Sequence, residues 1–443
     1  MTQLKAGQRT NTVALIAVCL AALMFGLEIS SVPVILPTLE KLMNADFKSL
    51  QWIMNAYTIA CTTVLMATGT LADKYGRKLV FSASVILFGI TSLICGIAQD
   101  TAVLIVGRFL QGIGGGAMLI CSIAILSFQF QDGKDRARAF STWGVITGVG
   151  LGFGPIIGSA IISIANWRWV FLIHLPISIL TIFLTLKSVK ESKDENAKKL
   201  DLAGILSLSL SVFCLTWYIT QGSMAILVIC LLSLISFLII EKKQTYPMFD
   251  FSVFKTRNFS GAIMGSIGMN FSFWPLIIYL PIYFQTGLHY SVAATGLTLL
   301  AYTLPTLFMP PVAERLSLRY QPRILIPGGM LIIGLGLLAM AFSSHAEDAS
   351  WVTMLPGMLL AGIGLGLINT PVTNTTTGSV SKDRAGMASG IDMSARLITL
   401  AINISIMGLL YNAKGFAWVS MYGGIGVCVL ACLSWLLFGA SKK

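Results

Sequence analysis

Apolar stretches long enough to cross a bilayer recur from one end of this chain to the other. They fall near residues 13–36, 50–71, 79–98, 102–127, 138–163, 168–187, 202–220, 223–240, 259–284, 292–313, 323–342, 351–370, 385–410 and 416–438. A span needs about 20 consecutive apolar residues. In lipid, the backbone must find its hydrogen bonds within its own segment, which a helix provides. The sequence therefore predicts an all-α membrane protein of fourteen transmembrane helices. The first stretch is too long for the apolar part of a signal peptide and ends in no small-residue cleavage site, so it reads as a retained helix.

Composition supports this. Of 443 residues, 56% are hydrophobic and 11% charged, and the mean hydropathy is +0.82. Soluble domains carry about 25% charged residues. The net charge of +12 suggests nucleic acid at first sight, but its distribution explains it otherwise. With the N-terminus in the cytoplasm, 24 of the 30 lysines and arginines lie in cytoplasmic segments, against Lys41, Lys48, Arg168 and Lys414 outside. Such a bias sets orientation by the positive-inside rule and places both termini in the cytoplasm. No nucleic-acid surface is needed. All eight cysteines lie in apolar runs without metal-ligand spacing, and read as small packing residues. No metal site is expected.

The spans group as two blocks of six. Residues 1–190 form the first; 191–257 hold a polar linker, two additional helices and a cytoplasmic loop; 258–443 form the second. GTLADK (69–74) and PPVAER (310–315) follow the second helix of each block with a matching small-residue, acid and base pattern. Internal repeats of this kind belong to transporters that bind substrate near the membrane midplane.

The most specific string is GTLADKYGRK (69–78). Gly69 and Gly76 permit a tight turn, while Asp73 can pair with Arg77 or accept from a helix N-terminus. A basic inner loop explains Lys74 and Lys78 but not the Gly–Asp–Gly–Arg spacing. The string resembles the signature loop of the major facilitator superfamily. WGVITGVGLGFGPIIG (143–158) resembles the glycine-rich fifth-helix motif of its proton-driven antiporters. There Gly144, Gly148 and Gly152, with Gly154, Pro155 and Gly158, offer small-residue spacing for close helix contact at the interface of the blocks. QWIMNAYTIA (51–60), NWRWVFLIHLP (166–176), YPMFDFSVFKTRNF (246–259) and the fourteen spans resemble the drug/proton antiporter branch with two extra central helices. The chain departs from that branch in three places. Glu28-Ile29-Ser30 stands for an Asp–x–Thr, His174 for an Asn, and Asp392 with Arg396-Leu397-Ile398 for an Asn and a Gln–Leu–Gly pattern.

Ionisable residues inside spans are functional candidates, because desolvating them is costly. Glu28 lies roughly 13 Å and Arg108 about 10 Å below the outer face at 1.5 Å per residue. They share a layer, on two helices that by resemblance line the central cavity. A carboxylate beside an arginine favours its charged form and one in a dry pocket its neutral form, so a site alternating between them loads and releases a proton. The bland alternative is a static ion pair. Gln111 lies one turn beyond Arg108. The fingerprint-like Gly112-x-Gly114-x-x-Ala117 follows no strand and lies in a span, which speaks against a dinucleotide. His174 belongs to a residue type that changes charge near neutral pH, yet its helix is expected at the bundle periphery, which favours a structural histidine hydrogen-bonded to inner helices. Asp392 and Arg396 have the favourable four-residue helical spacing and read as an intrahelical pair, or as lining of the cytoplasmic pathway. Tyr57 and Trp274, with Trp52, Phe271, Tyr279 and Tyr283, suit flat lipophilic or cationic substrates, or lipid. By resemblance, Asp73 forms an inner latch with the helix that begins near Ser381-Lys382-Asp383-Arg384, where Ser381 is a candidate N-cap.

No catalytic triad, HExxH or Walker string occurs, so an enzyme is not expected. The leading reading is a proton-coupled exporter of lipophilic or amphipathic small molecules in the inner membrane. It would act as a monomer without a bound cofactor, driven by the proton motive force, with membrane lipid as its other contact. The unusual Glu28, His174 and Asp392 keep open a dedicated metabolite or siderophore transporter, in either direction. A membrane sensor or scaffold is a third reading, against which the retained Glu28, Asp73, Arg77 and Arg108 argue.

Overall fold

The computed structural model describes residues 2–131, 133–193, 201–244, 250–346, 348–380 and 384–439. Among these residues there is no strand. The first helices are α1 (Thr2–Met43), α2 (Phe47–Tyr75), α3 (Arg77–Ile97), α4 (Thr101–Gln129) and α5 (Gly133–Ile164). They are followed by α6 (Arg168–Leu172), α7 (His174–Ser188), α8 (Leu202–Gln221) and α9 (Met224–Lys243). After a 3-10 turn at Phe251–Lys255 come α10 (Arg257–Ile282), α11 (Val292–Thr303), α12 (Pro305–Phe308) and α13 (Pro310–Ser317). The last four are α14 (Pro322–His345), α15 (Trp351–Gly378), α16 (Ala385–Lys414) and α17 (Phe416–Phe438).

Among the described residues, thirteen stretches are long and apolar enough to cross a membrane. The remaining sequence span, 50–71, lies within the 29 residues of α2. Two spans depart from single uninterrupted helices. Residues 168–187 form α6 and α7, joined at Ile173, which keeps helical dihedrals of φ −59° and ψ −25°. The span 292–313 is cut into α11, α12 and α13, with Pro305 and Pro310 each opening a new helix, because proline lacks the N–H that a helix interior needs. Helix starts are capped where the sequence allows. Asp46 accepts from Ser49 N at 3.0 Å, Asp100 from Val103 N at 2.8 Å, and Ser350 forms a capping box with Thr353.

The helices group into two compact units, one built on residues up to Leu210 and the other on Ser211–Lys243 and the helices from α10 onward; the division falls within α8. In the first unit α1 lies against α5, α2 and α3 against α4, and α7 against α1 and α3. The α1–α5 seam is backbone on backbone: a Cβ at Gly26 would stand 2.8 Å from the Thr147 carbonyl, and one at Gly150 2.8 Å from the Leu23 carbonyl. The glycines that meet α1 are Gly150, Gly154 and Gly158, whereas Gly144 faces open space. Helical rotation sets the contacting row, and the 150/154/158 row faces α1. The packing seen for the fifth-helix motif lies inside the first unit.

In the second unit α10 is the central helix, with Phe259, Met269, Phe273, Leu276 and Leu280 buried, and α14–α17 pack on it. Phe273 stacks on Tyr302 at 4.1 Å between ring centres, and the Tyr302 hydroxyl donates to the Phe273 carbonyl at 2.8 Å. Large apolar side chains remain exposed in rows. Ile86, Ile90, Leu93 and Ile97 form one on α3, and Leu231, Leu232, Ile235 and Leu238 form another on α9. Such rows at helical spacing suit contact with lipid tails. All eight cysteines are free.

Candidate functional site

The most concentrated buried chemistry lies in the first unit. Glu28 on α1, Arg108 and Gln111 on α4 and His174 at the start of α7 are each 0% exposed. The Arg108 guanidinium donates through Nη1 to Glu28 Oε1 and, at 2.7 Å, to Gln111 Oε1; its Nε donates to the Ile53 carbonyl of α2 at 3.1 Å. Gln111 in turn donates to Ser92 of α3 at 2.8 Å. The guanidinium also lies 4.4 Å over the Tyr57 ring and 5.8 Å from that of Phe171. Six helices, α1–α4, α6 and α7, thus converge on one charged pair. A buried pair adds little net stability, and losing one partner costs about 3–5 kcal/mol. Retaining it in a membrane helix therefore points to use rather than to strength.

Local packing explains how these groups meet. Ser30, two residues beyond Glu28, donates to the Gly26 carbonyl at 2.9 Å and across to the Gly150 carbonyl of α5 at 3.0 Å, pinning that turn of α1. On α4, a Cβ at Gly112 would reach 2.8 Å from Ala60 of α2, and one at Gly114 2.8 Å from the Phe88 amide of α3. The glycine string that imitates a dinucleotide fingerprint is where α2 and α3 press onto α4, and this brings Ile53, Tyr57 and Ser92 within reach of the polar pair.

His174 Nδ1 lies 3.2 Å from the Phe171 carbonyl and 3.4 Å from Glu28 Oε2. The expectation is a structural histidine hydrogen-bonded to inner helices; the structure gives it an inner neighbour, Glu28 of the charged pair, which the sequence does not single out. The periodicity of a helix that is apolar on every face does not show which side meets α1.

A second polar cluster lies within the second unit. Asp392 on α16 accepts from Ser266 of α10 and pairs with Arg396 at 3.1 Å. Arg396 also donates to Asn369 at 2.7 Å and to Thr373 at 3.0 Å, both on α15. The expected four-residue pair is present and is tied into two further helices. Trp274 touches Phe273 at 5.5 Å between ring centres and is partly buried.

At the α2–α3 turn, Asp73 and Arg77 pair at 2.8 Å, and Gly76 has φ +120°, which favours glycine. The partner of this turn is not legible in the sequence. Glu191, just after α7, accepts from the Lys78 amide at 3.0 Å and the Leu79 amide at 3.1 Å, capping α3 from a distance, and the Ser192 carbonyl accepts from the Arg77 amide at 3.0 Å. Within a lysine-rich linker, one glutamate carries no distinguishing signal. Gly69 faces open space, Gly148 is partly buried, and Gly152 and Pro155 are buried in α5. Ser381, Lys382 and Asp383, named for the inner latch, lie outside the described residues. Sequence reasoning also missed Ser30, Ser92, Phe171, Ser266, Asn369 and Thr373. They are ordinary residues whose role comes from the neighbour across the interface.

Comparison with known proteins gives a consistent picture. A family model described as the Major Facilitator Superfamily matches residues 18–403 and 262–443. The multidrug resistance protein Stp of Mycobacterium tuberculosis (strain ATCC 25618 / H37Rv) is 31% identical over 421 residues, covering 93% of this chain and 77% of that protein. The quinolone resistance protein NorB of Staphylococcus aureus (strain JH9) is 29% identical over 447 residues, covering 96% of each. Among solved structures, a POT family transporter in complex with a thioalcohol-conjugated peptide superposes with a TM-score of 0.73 at 16% identity, over 95% of this chain and 94% of that one. Another, in complex with 5-aminolevulinic acid, gives 0.71 at 14% identity, over 95% and 94%. At such identity the likeness shows the fold.

Proposed function

Because the chain belongs to the Major Facilitator Superfamily and is a multi-pass membrane transporter, we propose that it exports lipophilic or amphipathic small molecules in exchange for protons. It works by alternating access in the inner membrane, as a monomer with both termini in the cytoplasm, and uses the proton motive force rather than a bound cofactor. The relatives whose names speak of multidrug and quinolone resistance support flat, lipophilic cargo.

The observation that carries the coupling is the Glu28–Arg108 pair, wholly buried and tied to α2, α3 and α7. Protonating Glu28 cancels its attraction to the guanidinium, so proton binding changes what holds α1 to α4. Everted vesicles with an imposed pH gradient test this, using ethidium and norfloxacin as probes. Glu28→Gln is expected to reduce gradient-driven accumulation of both to that of vesicles lacking the protein, while the variant remains folded. Full transport by Glu28→Gln refutes the assignment.

A second reading, transport of a dedicated metabolite or siderophore, draws on the Asp392–Arg396–Asn369–Thr373 cluster. A charged, many-donor site of this kind suits a solute bearing its own carboxylate or amine. Accumulation of such solutes, with neither probe moved, would favour it.

A further inference from the structure

His174 opens α7 in complete burial, and its two ring nitrogens stand in different settings. Nδ1 faces the Phe171 carbonyl at 3.2 Å and Glu28 Oε2 at 3.4 Å. A carbonyl and an ionised carboxylate only accept, so the nitrogen between them bears the hydrogen. Nε2 has no hydrogen-bond partner among the described residues, and the Phe88 ring stands edge-on to the imidazole at 5.4 Å. The ring therefore makes its polar link through Nδ1 alone.

The two acceptors are not equivalent. The Phe171 carbonyl already accepts from the Ile173 amide at the α6–α7 junction, so it stays satisfied when the imidazole turns away. Glu28 Oε1 takes the Arg108 hydrogen bond, but Oε2 has no hydrogen bond among the described residues. An ionised carboxylate buried without donors on one oxygen is costly, and a protonated one much less so. Arg108 does not serve Oε2: its Nη1 and Nε are committed to Glu28 Oε1, Gln111 and Ile53, and its Nη2 makes no hydrogen bond among the described residues.

We propose that His174 is a positioning residue for proton exchange at Glu28: its Nδ1–H passes from the Phe171 carbonyl to Glu28 Oε2 when Glu28 releases its proton, and returns when the proton comes back. The proton itself goes from the carboxyl to water, and His174 keeps its hydrogen throughout. Ser92, Gln111, Cys95 and Tyr57 are neutral neighbours of the pair, and Glu28 is the charged group that the imidazole meets, with Arg108 on the other carboxylate oxygen. This inference rests on Glu28 being the exchanging acid.

Side-chain geometry supplies the test. An asparagine amide nitrogen occupies nearly the place of Nδ1, whereas a glutamine amide reaches towards Nε2. Infrared difference spectra between acid and alkaline pH, on the purified protein in phospholipid vesicles, read the ionised carboxylate of Glu28, assigned by the bands lost in Glu28→Gln. The bands are expected at the wild-type position in His174→Asn and displaced in both His174→Gln and His174→Phe. Ethidium efflux is expected to fall about tenfold in the last two, the worth of one charge-assisted hydrogen bond, and to recover in His174→Asn. Thermal melting confirms that each variant is folded, and His174→Gln serves if the phenylalanine does not fit. Wild-type bands in folded His174→Gln or His174→Phe overturn the role of His174 while leaving that of Glu28 intact. If Glu28→Gln removes no carboxylate band, the reading of Glu28 fails, and this inference with it.

Discussion

Gly150→Ala adds one methyl group at the α1–α5 seam and tests whether that seam positions Glu28. The new Cβ would stand 2.8 Å from the Leu23 carbonyl, 3.1 Å from Gly26 Cα and 3.1 Å from the Leu27 amide. All three are backbone atoms of α1, so no side chain can rotate aside, and α1 must retreat by roughly half an ångström to reach ordinary contact. Overpacking of this kind costs about 1–3 kcal/mol, against a gain of about 1 kcal/mol from replacing glycine by alanine within a helix. The net expectation is a destabilisation of about 1 kcal/mol, a loss of a few degrees in melting temperature. Gly144→Ala on the same helix meets nothing within 4 Å and retains only the favourable term, so the two variants should differ in sign. A thiol-reactive fluorescent maleimide reads the melt in detergent, because Cys61, Cys95 and Cys121 are buried and react only on opening. The retreat of α1 begins beside Glu28, so ethidium transport should also fall in Gly150→Ala at temperatures where the protein is folded. Equal melting temperatures for the two variants, or full transport by Gly150→Ala, would refute the positioning role of the seam.

Two further expectations concern turns between helices. Glu191→Ala removes the acceptor of the Lys78 and Leu79 amides, so both should exchange hydrogen faster while amides in the middle of α3 do not; unchanged exchange would count against the distant cap. The Asp250 carboxyl is held below its usual range, chiefly by hydrogen bonding to Ser252 and further by Arg384, which it meets at 2.8 Å. A carboxylate lowered in the folded state contributes fully above its ordinary value near 4 and loses that contribution as pH falls through the lower folded value. Asp250→Asn should therefore lower the melting temperature at neutral pH, with the difference from wild type closing as the pH falls through the lowered folded value; a difference that persists in strong acid would show another cause.

How much of this was legible from sequence varies by feature. Span count and class followed from long apolar runs, because burying an unpaired backbone in lipid leaves the helix as the outcome. The family followed from the spacing in 69–78 and 143–158. Glu28 and Arg108 could be put at one depth by counting residues, since the helical rise is fixed. Depth does not include rotation, however. The contact of Gly150 with α1 and that of His174 with Glu28 are not legible in the sequence for this reason. A helix with lipid on one side and protein on the other is apolar all round, so its pattern carries no phase.

The sequence by itself determined that the chain spans a membrane many times, that it carries buried charge in its first, fourth and thirteenth spans, and where along each helix those charges sit. Only the tertiary structure decided their partners. Arg108 meets Glu28, Gln111 and the Ile53 carbonyl, His174 turns Nδ1 towards both Phe171 and Glu28, and Arg396 reaches from Asp392 to α15. The physical reason is that hydrophobicity sets the depth of a residue, whereas the contact of small residues such as Gly26 with Gly150 sets the rotation of each helix, and rotation decides which polar groups come within hydrogen-bonding distance.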